Sequence, residues 1–205
     1  MLGLLSKLHH RYVHLRRVEV LADELARLVP PGSRVLDVGC GDGTIDKAVM
    51  ARSKGTTYEG IDVMARPTCA IPFSTYDGVS IPHGDQSFDV VQFIDVLHHT
   101  NNIEDVFAEA VRVSKRYIIL KDHSFSNRFE YEVIKWMDWV GNAPHGVRLP
   151  YNFKDLAYWR ELAAHNGLEV RQFNSRVDLY PSPFNRLFGR DGMDFAMLLE
   201  KRVSN

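Results

Sequence analysis

Apolar residues recur along this chain at two spacings, and the alternation between them sets out its architecture. Met1, Leu4, Leu5, Leu8, Tyr12 and Leu15 repeat in steps of three and four, and Val18, Leu21, Leu25 and Leu28 continue the pattern. That spacing lines one face of a helix. Residues 1–30 are therefore expected to form a helical cap of one or two helices, ending before Pro30-Pro31. Beyond the prolines, Arg34–Val38, Tyr58–Ile61, Val90–Ile94 and Tyr117–Leu120 read as strands. Val90–Ile94 is almost wholly apolar, which marks a strand covered on both faces. Thr44–Ala51, Ile103–Ser114 and Phe153–Asn166 read as helices, the last closed by Gly167. Leu168–Phe173 and Phe195–Glu200 supply two further strands, expected as an antiparallel edge pair. Strands alternating with helices predict a mainly parallel α/β sheet with helices on both faces.

Two stretches are too long for plain connections. Residues 123–152 carry Phe129, Val133, Ile134, Trp136, Met137, Trp139 and Val140, and residues 174–193 carry Tyr180, Phe184 and Phe188. Both should fall near the carboxyl edge of the sheet, where doubly wound folds bind ligands. They either build a pocket for a second ligand or add a helix that enlarges the core.

A length of 205 residues fits a single domain over residues 1–205. Hydrophobic content of 45%, charged content of 25% and a net charge of −1 give no general pull toward nucleic acid. The two cysteines, Cys40 and Cys69, make no disulfide framework, which suits a reducing cytoplasm. No C-x-x-C spacing appears, and no metal site is expected. The N-terminus lacks the apolar block of a secretory signal. It is basic, however: Lys7, Arg11, Arg16 and Arg17 precede the first acid, Glu19. Residues 1–17 are thus a candidate peripheral contact with an anionic membrane.

The densest chemical signal is Val35-Leu36-Asp37-Val38-Gly39-Cys40-Gly41-Asp42-Gly43. A short apolar strand ends in an acid and breaks into alternate glycines. Glycine lets the backbone turn sharply and approach a ligand closely. A dinucleotide fingerprint reads G-x-G-x-x-G. This run reads D-x-G-x-G-x-G, and an acid before the turn suits a cationic ligand better than a diphosphate.

The run resembles the first motif of the class I S-adenosylmethionine-dependent methyltransferases. Tyr58-Glu59-Gly60-Ile61-Asp62-Val63 is similar to that family's acid-tipped second strand. The passage from Asp77 to Val91, with Pro82, Asp85, Ser87, Phe88 and Asp89 in place, is similar to its D-x-x-x-x-P-x-x-D-x-S-F-D-V-V segment. Leu97-His98-His99 is similar to its L-H-H. The resemblance implies a Rossmann-like, doubly wound sheet of seven strands, mostly parallel, with an antiparallel last strand. It also implies S-adenosyl-L-methionine as cofactor and S-adenosyl-L-homocysteine as product. Asp37 is the expected partner of the cofactor's amino group, with Gly39, Cys40 and Gly41 giving close backbone approach. Asp62 is expected on the ribose hydroxyls, Val63 beside the adenine, and Asp77 with Gly78 at its amino group. Ile94 and Asp95 should line the sulfonium end, while Asp42 is expected to cap the following helix.

Methyl transfer needs orientation above all, and a base only where the acceptor must lose a proton. His123 is the first candidate base, beside Asp122, and His98 the second; His99 and His145 stand behind them. The aromatic inserts point to a small, partly apolar acceptor such as a lipid-like compound or a secondary metabolite. No nucleic-acid partner is expected. The other reading is a non-catalytic protein that binds S-adenosylmethionine, or a degenerate methyltransferase-like partner subunit.

Overall fold

A computed structural model of the chain describes residues 2–143, 146–182 and 184–202. Helix α1 (Leu2–Leu28) is followed by β1 (Arg34–Val38), α2 (Thr44–Met50), β2 (Thr57–Asp62), β3 (Phe73–Thr75) and β4 (Phe88–Ile94). A 3-10 turn at Leu97–His99 leads into α3 (Ile103–Val113) and β5 (Ser114–His123). Then come α4 (Arg128–Asn142), α5 (Leu156–His165), β6 (Leu168–Asn174), α6 (Asn185–Phe188) and β7 (Asp194–Lys201). The strands form one sheet in the order β3-β2-β1-β4-β5-β7-β6. β7 runs antiparallel to both neighbours and the other adjacent pairs are parallel.

Strand alternation sends successive side chains to opposite faces. On one face Leu36, Val38, Val91, Phe93, Ile118 and Leu120 meet Phe107, Ala110 and Val113 of α3 and Trp159 of α5. On the other, Val35, Val90 and Ile119 meet Leu21, Leu25 and Leu28 of α1 and Val49 of α2. The helical spacing read in residues 18–28 is therefore the face by which α1 covers the sheet. Phe107 is wholly buried, so its truncation to Ala is worth about 3–5 kcal/mol.

Chain order reverses between β1 and β4, which opens a crevice beyond their carboxyl ends. β1 and the helix that begins at Thr44 stand where periodicity put them. The short β3 and α6 stand outside the sequence reading, and two of the elements it contains shift by three residues. The strand expected to end at Leu120 runs on to His123, because Lys121 and Asp122 are buried and paired rather than marking an exit. The helix expected from Phe153 starts at Leu156, where Asp155 accepts a hydrogen bond from the Tyr158 amide at 2.8 Å.

The insert after β5 is mostly helix, and its polarity is reversed. Asn127 accepts from the Glu130 amide at 3.0 Å and caps α4. Glu130, Ile134 and Asp138, spaced four apart, face inward. Trp136 and Trp139 are each 54% exposed. Aromatic residues at helical spacing thus lie outward here, and the carboxylates occupy the buried stripe. Among the described residues, no helix is long and apolar enough to cross a membrane.

Candidate active site

A cleft of about 680 Å³ opens at the reversal point. It collects all ten residues singled out for the cofactor: Asp37 in β1 with Gly39, Cys40 and Gly41 after it, Asp62 and Val63 at the end of β2, Asp77 and Gly78, and Ile94 and Asp95 at the end of β4. His14, Arg17 and Val18 of α1 close one side. The tail of the first insert, Asn142 and residues 146–148, closes another. None of the described residues of the second insert lines the cleft. Val177 and Leu179 pack into the core beneath α1, and Phe188 stacks on Trp136 at 5.9 Å.

The turn after β1 needs its glycines. Gly39 has φ +84°, and a Cβ there would lie 2.5 Å from Val96. Gly41 has φ +59°, and nothing lies within 4 Å of its Cβ position. Bare backbone therefore faces open cleft, which is the close approach a ligand requires. The Gly41 amide donates to Asp62 Oδ2 at 3.1 Å, and the Met64 amide donates to Asp62 Oδ1 at 2.8 Å. Arg66 also reaches Asp62 Oδ2 at 3.5 Å, so it is Oδ1 that keeps a second lone pair for a ligand hydroxyl. Asp77 takes the Val79 and Ser80 amides on one oxygen, at 2.8 and 2.7 Å. Those amides hold its carboxyl below the usual range. Asp42 was expected to cap α2; the N-cap position is instead Gly43, and Asp42 Oδ1 accepts from the Thr44 amide as an Asx turn leading into the helix.

Asp37 is buried at the floor beside Asp46 of α2, a residue the sequence did not single out. Burial pushes both carboxyls up, and the nearness of Asp46 pushes Asp37 further. Gln92, buried in β4, donates to Asp46 Oδ1 at 2.8 Å. An acid so placed exchanges its proton for a cation when one arrives. Three acids and bare glycine backbone around one cleft suit the ammonium, ribose and adenine of S-adenosylmethionine.

The other half of the cleft is built from ion pairs. Asp95 sits at φ +56°, a left-handed backbone uncommon outside glycine. It accepts from Lys121 Nζ at 2.5 Å and from Arg17 at 2.8 Å. Burial opposes its ionisation, but Lys121, His123 and Arg17 together hold its carboxyl well below the usual range. Lys121, itself buried, also donates to Asp194 at 2.8 Å.

The histidines fall in two places. Asp122, next to His123 in sequence, turns its side chain to His98, whose Nδ1 is 2.6 Å from Asp122 Oδ1. Burial opposes the His98 charge, but Asp122 outweighs it and raises the imidazolium to about 10. His98 is wholly buried and does not line the cleft. His123 lies behind Asp95, with Nε2 3.5 Å from Asp95 Oδ1 and Nδ1 3.0 Å from Asp194 Oδ1. His99 does line the cleft, and burial together with the neighbouring His98 keeps it below its ordinary value. His145 lies outside the described residues, as do most side chains of residues 1–17.

Asp46, Lys121, Asp138 and Asp194 were missed because each is a charge inside an element. Only Asp138 left a usable signal, its four-residue spacing from Ile134.

A Rossmann-like sheet of this order, with an acid-lined glycine turn at its reversal, defines the class of S-adenosylmethionine-dependent methyltransferases. A family profile described as a methyltransferase domain matches residues 10–172, and the chain belongs to that family. It is 37% identical over 105 residues to a ubiquinone biosynthesis O-methyltransferase of Hahella chejuensis, covering 45% of this chain and 42% of that protein. It is 29% identical over 164 residues to a 24-methylenesterol C-methyltransferase of Arabidopsis thaliana, covering 69% and 43%. The match thus spans about two fifths of the length of these curated relatives. A Haloferax volcanii protein solved in complex with the methyltransferase activator Trm112 shares the fold, with a TM-score of 0.70, 16% identity and coverage of 95% and 94%.

Proposed function

We propose that the chain transfers a methyl group from S-adenosylmethionine to a small, partly apolar acceptor. The observation that carries this reading is the convergence of Asp37, Asp62 and Asp77 with bare glycine backbone on one cleft. S-adenosylmethionine, when bound, supplies the electrophilic methyl group. Gly39 and Gly41 let the backbone close on it. Asp37 pairs with its ammonium, Asp62 accepts from the ribose hydroxyls, and Asp77 with Gly78 and Val63 holds the adenine. Ile94 and Asp95 bound the sulfonium end. Such fixing of reactants is worth about 7–11 kcal/mol of barrier.

The relatives named for sterol and ubiquinone chemistry support a lipid-like acceptor. So do Val96, Leu97, Val106 and Val147 along the free part of the cleft. Where the acceptor loses a proton, His123 is the candidate base, one carboxylate behind the wall. His98 is not, because it is buried behind the cleft wall and does not line the cleft. Calorimetric titration with S-adenosylhomocysteine tests the cofactor half, with one site per chain expected. Release of S-adenosylhomocysteine during incubation with quinol, sterol and phenol acceptors tests the other half. No affinity for the product would overturn the reading.

A further inference from the structure

Two histidines from the turn after β4 and one carboxylate from α4 converge beside the cleft. His98 Nε2 lies 3.7 Å and His99 Nε2 3.6 Å from Asp138 Oδ1, and the three donors lie within 4.8 Å of one another. Those separations are too long for direct hydrogen bonds. His98 Nε2 and Asp138 Oδ2 are buried without any hydrogen-bond partner. Something is therefore owed between them. An ion with bonds of about 2.0–2.1 Å and tetrahedral geometry spaces its donors by about 3.3–3.4 Å, close to the spacing seen.

A supporting layer is already in place. His98 Nδ1 meets Asp122 at 2.6 Å, and His99 Nδ1 meets the Arg148 carbonyl at 3.0 Å. With both Nδ1 atoms engaged on acceptors, both rings present Nε2 as the donor atom toward Asp138. The Asn142 amide donates to Asp138 Oδ1 at 2.7 Å and orients the carboxylate. Carboxylate and carbonyl partners behind ligand imidazoles are the arrangement that sets tautomer and ring angle in metal sites.

We propose that His98, His99 and Asp138 bind a divalent first-row transition-metal ion of the zinc or iron(II) type. Two imidazoles and one carboxylate are a donor set for such ions, and three protein ligands leave a position open. His99 and Asn142 line the cleft, so the site stands in its wall. The ion takes the place of the His98 proton and ties α4 to the rim of the sheet. Sequence spacing did not suggest it, because the third ligand arrives 39 residues after His99, from a different element. The neighbouring group of Asp95, His123 and Asp194 has similar donors, but the Lys121 ammonium already lies between its two carboxylates. It has no need of a second cation.

The test uses the whole chain, stripped with a chelator and dialysed, and reads metal rather than methyl transfer. Its outcome is therefore separate from that of the proposed activity. Titration with Co²⁺ should give one equivalent of low-coordinate visible absorption per chain, displaced by Zn²⁺, and Zn²⁺ should raise the melting temperature. His99→Ala and Asp138→Asn should each weaken uptake at least 100-fold, whereas His123→Ala should leave it unchanged. His99 is partly exposed, so its variant should fold even if Asp138→Asn does not. The proposal is overturned by failure of the wild-type chain to take up either ion, by undiminished uptake in both variants, or by uptake lost only in His123→Ala.

Discussion

The two halves of the cleft manage negative charge differently. In the β1–β2 half, carboxylates rest chiefly on nearby backbone amides: Asp62 on Met64 and Gly41, with Arg66 of the same turn at 3.5 Å, and Asp77 on Val79 and Ser80. In the β4–β5 half, carboxylates rest on cationic side chains from distant elements: Asp95 on Arg17 and Lys121, Asp194 on Lys121, Asp122 on His98. Amides are fixed by the fold and leave lone pairs for a ligand. Buried cations neutralise their partners, so that half presents shaped, balanced walls rather than anchors. The first arrangement suits a ligand of constant structure. The second suits an acceptor that differs between relatives.

The sharpest way to break this contrast is Lys121→Ala. If the lysine carries the β4–β5 half, its loss leaves Asp95 and Asp194 facing each other in a buried site. Removing one partner of a buried ion pair costs about 3–5 kcal/mol, and urea unfolding should show a fall of that size. A change under about 1 kcal/mol would mean that Arg17 and His123 suffice, and the contrast would lose its main support. On the other side, Asp62→Ala should leave unfolding nearly unchanged but weaken S-adenosylhomocysteine binding. Hydrogen bonds to a charged group are worth about 1.5–3 kcal/mol, or roughly 10- to 100-fold in Kd. Calorimetry that finds the same Kd in both proteins removes Asp62 from the site.

The same division explains what was legible in the sequence. Acid, glycine turn and second acid are contacts between residues close in the chain or at the tips of adjacent strands, so linear motifs report them. The resemblance placed Asp37, Asp62, Asp77 and Asp95 on one cleft before any coordinates. The β4–β5 half depends on pairings such as Arg17–Asp95 and Lys121–Asp194, which span 78 and 73 residues. A lone Lys or Asp inside a strand reads as the strand's end, which is why β5 was drawn too short. Asp122 stands next to His123 in sequence, but neighbours on a strand point to opposite faces, and its partner is His98 on the neighbouring segment. The inward acids of α4 were hidden by tryptophans that look like core and are half exposed.

Asp37 offers a finer test, because it is the one acid of the cofactor half that rests on another carboxyl rather than on amides. Its raised pKa means that the proton must leave before an ammonium can pair with it. Affinity for S-adenosylmethionine should therefore rise with pH for as long as Asp37 holds that proton, by up to tenfold for each unit spent below its pKa. Asp46→Asn removes the neighbouring charge while keeping an oxygen for Gln92. It should lower the Asp37 pKa, flatten the profile and bind more tightly than wild type at pH 6. Parallel profiles for the two proteins would show that the carboxyl pair does not gate the cofactor.

The smallest expected effect concerns α4, which joins the two halves at Asn142. Trp139 is 54% exposed and borders a shallow hollow with Trp136 and Tyr151. A residue packed as core would cost about 3–5 kcal/mol on truncation, whereas one on the outer face should cost under about 1 kcal/mol. Trp139→Ala should fall in the second range and shift the melting temperature by only a few degrees. If the outer face of α4 meets the acceptor on its way in, the same variant should raise acceptor KM severalfold without moving the Kd for S-adenosylhomocysteine. A large loss of stability with unchanged KM would return this helix to the core and leave the ion-paired half without an apolar approach.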